Sequence, residues 1–191
     1  GGHFALAAAE RLGQVQQVIT QNVDALHQAA GSKNVIDLHG RLDTVRCMKC
    51  GAPMSRIDMD VLLHELNPTI EKDANHEFTP DGDAELEAAA DFRIPACPVC
   101  NGVLKPDVVF FGESVPQSRV ENAMARLDEA DALLVAGTSL TVNSGLRFAR
   151  RAARAGKPIV IVNIGETKAD ELATAKIEAN TSLVLERLFI D

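Results

Sequence analysis

The 191-residue sequence predicts an α/β fold, a parallel sheet with helices on both faces, and three observations carry that expectation. Residues 132–136 and 158–162 are nearly continuous apolar runs of strand length, the pattern of parallel strands buried on both sides. Helix-compatible segments separate such runs in both halves of the chain. Four cysteines in two Cys-x-x-Cys pairs bracket a stretch of different character, which marks a small inserted module.

In chain order, residues 15–20 form a short β-prone run ending in polar residues, and residues 35–38 form another. Between them residues 23–30 suit a short helix closed by Gly31, giving strand, helix, strand. After Pro116, the residues Val120, Ala123, Met124 and Leu127 share one helical face. Ser144 is expected to cap a helix that runs to about Ala155 and is ended by Gly156-Lys157-Pro158. Ligands of parallel sheets collect at the carboxyl ends of the strands. Four polar motifs lie at those ends: Thr20-Gln21-Asn22-Val23-Asp24, Leu38-His39-Gly40, Gly137-Thr138-Ser139 and Asn163-Ile164-Gly165.

Composition narrows the function classes. Apolar residues make up 46% and charged residues 24%, an ordinary globular balance, and a chain of this length buries roughly 70% of its unfolded surface. Neither a membrane-spanning apolar run nor a cationic signal segment is visible, so the chain reads as soluble and cytoplasmic, or as a mitochondrial matrix protein in a eukaryote. A net charge of −8 argues against a nucleic-acid surface, which depends on clustered Lys and Arg. The one compact basic cluster, Arg147, Arg150, Arg151 and Arg154, has the spacing of a solvated helix side. Acidic charge suits attraction to lysine-rich protein segments, weakly and with salt screening.

Cys47, Cys50, Cys97 and Cys100 fit a tetrahedral site of four thiolates about 2.3 Å from a zinc ion, each pair supplied by a tight knuckle with a glycine close behind. Redox-active pairs and two disulfides are the alternatives. Disulfides conflict with the lack of a secretory signal, and a redox pair needs no twin. With all four positions filled by protein, the Zn2+ is expected to be structural. The 46 residues between the pairs are acid-rich from 58 to 91, with Pro68, Pro80 and Asp81-Gly82 as turn signals and an apolar patch only at 61–66. A partly helical, partly looped module spanning 47–100 is expected, with 1–46 and 101–191 forming the sheet domain. His64 and His76 inside the insert read as solvated surface histidines.

His39 follows a strand and precedes Gly40, which puts an imidazole at a strand terminus with a proton affinity suited to general-base work near neutral pH. Asn22 and Asp24 supply an amide and a carboxylate beside it, although both also suit a turn or helix cap after a strand. Gly137-Thr138-Ser139 ends an apolar strand ahead of a helix, where backbone N–H groups and hydroxyls can hold ribose and phosphate oxygens. By itself that signal is weak.

The ordered set Thr20–His27 (TQNVDALH), LHG, the two knuckles, Val108-Val109-Phe110-Phe111-Gly112-Glu113, GTS and Val162-Asn163-Ile164-Gly165 resembles the sirtuins, the NAD-dependent protein-lysine deacylases. The run Asn163–Asp170 is most similar to the class II branch. The resemblance implies a Rossmann-like sheet, with NAD as cosubstrate and an acylated lysine peptide as partner. It implies that the acyl oxygen attacks the nicotinamide-bearing ribose carbon, that nicotinamide leaves, and that His39 deprotonates a ribose hydroxyl so that the acyl group passes to ADP-ribose. It also places Asn22 and Asp24 at nicotinamide, Gln21 near ribose, Gly137, Thr138 and Ser139 at ribose and phosphate, and Asn163 and Gly165 at the adenosine ribose, with Thr181 near adenine.

The resemblance further implies that Phe110–Glu113, Gly112 included, pairs by backbone with an extended peptide, and that Val109, Phe111 and Val142 line an apolar acyl-lysine tunnel. Strand alternation would send one phenylalanine to the tunnel and the other to the core. His27 is expected to pack or hydrogen-bond within its helix. A Gly-Ala-Gly-x-Ser pyrophosphate cradle of the family does not occur, so the sequence is expected to be amino-terminally truncated and to bind NAD weakly. Three functions compete: deacylation, mono-ADP-ribosyl transfer from the same cosubstrate, and zinc-bearing binding of acyl-lysine peptides without turnover.

Overall fold

The computed structural model describes residues 1–68 and 92–190, so the turn signals at Pro80 and Asp81-Gly82 and the histidine His76 lie outside the described residues. The chain divides into two compact units, Gly1–Arg41 with Val109–Asp191, and Leu42–Val108. The second starts ahead of Cys47 and ends beyond Cys100, because strands on either side of the knuckles belong to it.

The first unit carries the parallel strands. β1 (Val18–Thr20) pairs in parallel with β2 (Val35–Asp37), Ile19 opposite Ile36. A second parallel sheet has the order β6-β7-β8, from Leu133–Ala136, Ile159–Val162 and Ala175–Ile177. Each strand forms within or beside the apolar run that predicts it, except β8, whose Ala-Lys-Ile carries too little pattern. Ile159, Ile161 and Val162 are fully buried, and alternation sends neighbours to opposite sides, so β7 is covered on both faces.

One shared core holds Ile36 and Leu38 beside β2, Val135 of β6, and Ile159 and Ile161 of β7. Into it α4 (Gln117–Glu129) sends Ala123 and Leu127, and α5 (Asn143–Arg154) sends Leu146, Phe148, Ala149 and Ala152. Burying each large side chain fully contributes about 1.5–3 kcal/mol. The other side of α5 presents Arg147, Arg150, Arg151 and Arg154 to solvent, where Arg151 pairs with Asp128 at 2.9 Å. A cavity of about 110 Å³ lies between β1 and β6, walled by Ile19, Leu134, Phe148 and Ala149, with Gln21 and Thr138 also lining it.

α1 (Gly2–Arg11) packs on α6 (Thr181–Phe189) and on the short α2 (Leu26–Ala29). Its alanines 5, 7 and 9 are buried; their small side chains permit close approach. α2 is shorter than residues 23–30, because Val23 and Asp24 belong to the turn after β1 and Ala25 is left-handed at φ 58°.

The second unit is built on β4-β3-β5, from Pro53–Ser55, Gly40–Cys47 and Leu104–Val108, with β3 and β4 antiparallel. α3 (Arg56–Leu66) follows β4, and the Ser55 hydroxyl accepts from the Asp58 backbone N–H at 3.0 Å while donating to the Asp58 carboxylate at 2.7 Å. That reciprocal cap fixes the helix start. Val45, Cys47, Met59, Cys97 and Leu104 form its core, and His64 is exposed on α3 as expected. No helix among the described residues is long and apolar enough to cross a membrane.

Candidate active site and metal centre

In the first unit the strand-end motifs converge. The Asn22 backbone N–H donates to Thr20 Oγ1 at 3.1 Å, and Asp24 Oδ1 accepts from the Leu26 N–H at 3.1 Å. Asp24 thus makes a side-chain turn at the entry to α2, but the cap reading fails: the cap is Ala25, without a side-chain cap bond, and Asn22 joins only through its backbone. Both side chains remain exposed, with the Asn22 amide and one Asp24 oxygen uncommitted among the described residues. Gln21 turns the other way. Its Nε2 reaches Ser144 Oγ at 3.4 Å, and its Oε1 accepts from Thr138 Oγ1 at 3.4 Å.

His39 stands between β2 and β3, half-buried. Its Nδ1 lies 3.1 Å from the Gln21 carbonyl oxygen and its Nε2 2.9 Å from Ser144 Oγ. A carbonyl can only accept, so the hydrogen belongs on Nδ1 and the lone pair on Nε2. The imidazole's proton affinity is held below the ordinary value chiefly by burial; the Gln21 hydrogen bond opposes this and the Arg119 charge adds to it. Burial disfavours the imidazolium. A neutral imidazole on a ring held through both nitrogens, its Nε2 lone pair toward Ser144 Oγ, has the protonation state that a general base requires.

Gly137, Thr138 and Ser139 follow β6, with Gly137 at φ 65°. The loops after β6 and β7 are tied together where the Lys168 N–H donates to the Ser139 carbonyl at 2.9 Å. Asn163 spends its side-chain amide locally, donating to the carbonyls of Ile164 at 3.0 Å and Gly165 at 3.3 Å. Thr181 opens α6, its hydroxyl 3.5 Å from the Val162 carbonyl and close to Gly137. Gln21, His39, Thr138 and Ser144 thus form one cluster, and Gly137, Val162 and Thr181 a second at the neighbouring strand ends.

The residues expected to meet a peptide divide. The Val109 N–H donates to the His39 carbonyl at 2.9 Å, which fixes Val109 beside His39. Val142 precedes α5 and is exposed. Phe110–Glu113 is a turn rather than an alternating strand: the Glu113 N–H donates to the Phe110 carbonyl at 3.0 Å, and Gly112 is left-handed at φ 87°. Phe110 is 49% exposed and Phe111 fully exposed, which corrects the expectation that one of them is core. The turn geometry forces both outward.

Ser144 is a second correction. Val142 occupies the cap of α5 without a side-chain cap bond, and the Ser144 hydroxyl, buried in the first turn, goes to His39 instead. Only the Ser-Gly pair at a helix start after a strand hinted at this in the sequence. His27 is buried, but it packs outside its own helix: its ring meets that of His3 in α1 edge-on at 4.6 Å, and its Nδ1 has no hydrogen-bond partner among the described residues.

In the second unit the four sulfurs lie within 4.8 Å of one another. Cys47 Sγ is 3.5 Å from Cys100 Sγ and Cys50 Sγ 3.8 Å from Cys97 Sγ. A tetrahedron with metal–sulfur bonds of about 2.3 Å has edges of about 3.8 Å, so the donor set fits Zn2+. All four cysteines are free, which leaves the disulfide alternative without support. Left-handed Gly51 and Asn101 turn the knuckles, and a Cβ on Gly102 would stand 2.8 Å from Cys47 Sγ. Cys47 is lowered to about 6, chiefly by the Cys50 backbone N–H, while Cys100 is pushed up to about 12, chiefly by sharing a hydrogen with the Cys50 sulfur. Four sulfurs this close cannot all ionise unless a cation joins them.

Residues 1–144 match the model of the Sir2 family. The chain is 56% identical over 185 residues to an NAD-dependent protein deacetylase of Xanthomonas campestris pv. campestris (strain 8004), covering 96% of this chain and 63% of the relative. It is 50% identical over 186 residues to NAD-dependent protein deacetylase 2 of Bradyrhizobium diazoefficiens, covering 96% of this chain and 67% of that protein. Among solved structures it resembles a Sir2–p53 peptide–NAD+ complex with a TM-score of 0.75 at 33% identity, over 98% of this chain and 67% of the other. A Sir2 bound to acetylated peptide gives a TM-score of 0.76 at 32% identity, over 98% and 68%. The chain spans about 63% of the length of the Xanthomonas relatives. The ordered motifs, the convergence on His39 and the four-sulfur cluster have one common account: this chain belongs to the Sir2 family.

Proposed function

We propose that this chain carries NAD-dependent removal of acyl groups from protein lysine, the acyl group passing to ADP-ribose as nicotinamide leaves. The observation that carries the reading is His39, a neutral imidazole with its lone pair on Nε2, held where the β1, β2 and β6 ends meet. NAD, when bound, supplies the electrophilic ribose carbon. Asn22 and Asp24 offer an amide and a carboxylate oxygen for a carboxamide, Gln21 and the Gly137–Ser139 loop offer donors and acceptors for ribose and phosphate oxygens, and His39 Nε2 accepts the ribose hydroxyl proton. Asn163 acts by shaping the Gly165 turn at the adenosine end. The exposed turn at Phe110–Glu113 and the Val109 backbone beside His39 support docking of an extended acyl-lysine peptide, with Val142 and Phe111 as apolar contacts. The zinc ion is structural, and cysteines that form no disulfide suit a reducing, cytoplasmic setting.

The test is nicotinamide release from NAD in the presence of an acetyl-lysine peptide, with O-acyl-ADP-ribose as the accompanying product. His39→Ala is expected to lower deacylation by about 10²- to 10⁴-fold, the range for a positioned general base. Transfer of labelled ADP-ribose to protein without deacylation would replace this reading with ADP-ribosyl transfer. Peptide binding without nicotinamide release would leave a binding module.

A further inference from the structure

A closed circuit of hydrogen bonds surrounds His39, and the family motifs quoted above do not include its third member. The His39 Nδ1–H donates to the Gln21 carbonyl at 3.1 Å, and the Gln21 side-chain Nε2–H reaches Ser144 Oγ at 3.4 Å. Ser144 Oγ lies 2.9 Å from His39 Nε2. The amide nitrogen can only donate, so it uses a lone pair of the serine oxygen and leaves the hydroxyl hydrogen to find an acceptor. Gln21 and His39 are the only side-chain partners of Ser144 among the described residues, and the bare Nε2 is the acceptor.

We infer that Ser144 is a positioning residue for His39 in the unliganded site: its hydroxyl, held by Gln21, donates to Nε2, which fixes the ring plane and the tautomer, and it turns away from that lone pair when a ribose hydroxyl takes its place. The inference rests on the reading of His39 as the base. Three features of the fold support it. Ser144 is 8% exposed, so its hydroxyl is largely withdrawn from water, and an unmet buried hydroxyl is costly. It is not spent on capping, because the α5 cap is Val142. The neighbour Gly145 makes room for the circuit, since a Cβ there would lie 2.7 Å from Gln21 Oε1.

The test reads the ring directly, in the 191-residue chain labelled with nitrogen-15 histidine. Proton–nitrogen correlation spectra are recorded as pH is varied around the ordinary histidine value of about 6.5. Wild-type His39 is expected to carry its hydrogen on Nδ1. In Ser144→Ala the ring is expected to lose that single form, showing mixed tautomers and a midpoint raised toward ordinary histidine, with the nearby Arg119 charge unchanged. Ser144→Thr, which keeps a hydroxyl, is expected to restore the single tautomer. The inference is overturned by Ser144→Ala spectra that coincide with wild type, or by a wild-type ring protonated on Nε2. Should Ser144→Ala fail to fold, the wild-type tautomer and Gly145→Ala decide: displacing Gln21 must disturb the His39 nitrogen signals, and unchanged signals overturn the circuit. Spectra that respond as expected, together with a His39→Gln variant that still deacylates, would overturn the base reading while leaving the Ser144 contact intact.

Discussion

Ala25 holds a left-handed backbone at φ 58°, beside Asp24 and at the entry to α2. An L-residue with a Cβ is strained there by about 1–2 kcal/mol, whereas glycine is not. Ala25→Gly is expected to raise stability by about 1 kcal/mol, seen as a rise in thermal midpoint of about 2–4 °C. An unchanged or lowered midpoint would show that the turn is relaxed with alanine. For His39 the sign follows from burial. Its folded proton affinity is lowered, so between the unfolded value of about 6.5 and its lower folded value the unfolded chain binds more protons, and stability falls as pH falls through that window. The same shift keeps the imidazole neutral at mildly acid pH. The acid limb of the rate profile is therefore expected below about 6.5, and a limb at or above that value would contradict a neutral buried imidazole.

Elements are locked by short polar clamps that no periodicity displays. Lys176 of β8 meets Asp170 at 2.6 Å, and Thr167 donates to the same carboxylate at 2.6 Å, tying the loop after β7 to the sheet edge. Lys176 first and Thr167 second lower Asp170 to about 2. A depressed carboxyl stabilises above its unfolded value near 3.9, and that contribution is lost as pH falls toward about 2. Wild type is thus expected to be more stable than Asp170→Asn at neutral pH, with the gap in denaturation midpoint closing across that acid window; a pH-independent gap would assign the effect to packing. In the second unit, Gly102→Ala forces a methyl group against Cys47 Sγ and the Lys49 side chain. A loss of zinc affinity of about 10- to 100-fold is expected, the range for disturbing the surroundings of metal ligands, measured by competition with a chromogenic chelator.

At the scale of the molecule, the unit Leu42–Val108 has a small core in which Cys47 and Cys97 are themselves buried members. Metal binding to such a module is in large part folding free energy. Native mass spectrometry is expected to show one zinc per chain, and strong chelation is expected to expose the amides of this unit to rapid hydrogen exchange. Intact protection after complete metal removal would make the zinc dispensable for folding.

The sequence by itself determined the strand-helix alternation, because runs such as residues 158–162 are apolar on both faces and only a covered parallel strand can use them. It pointed to the four cysteines as one cluster, since paired Cys-x-x-Cys knuckles suit a site of four thiolates, and it singled out His39 through its place at a strand end. Short strands without alternation stayed hidden: β5 contains Pro106, and β8 is three residues with one lysine. Tertiary structure alone decided how His39 is held. The circuit joins residues separated by 18, 105 and 123 positions, and hydrogen bonds over such distances leave no local pattern. It also decided that Phe110 and Phe111 face solvent, because the handedness of Gly112 turns the chain where a bare apolar pair would have been read as core.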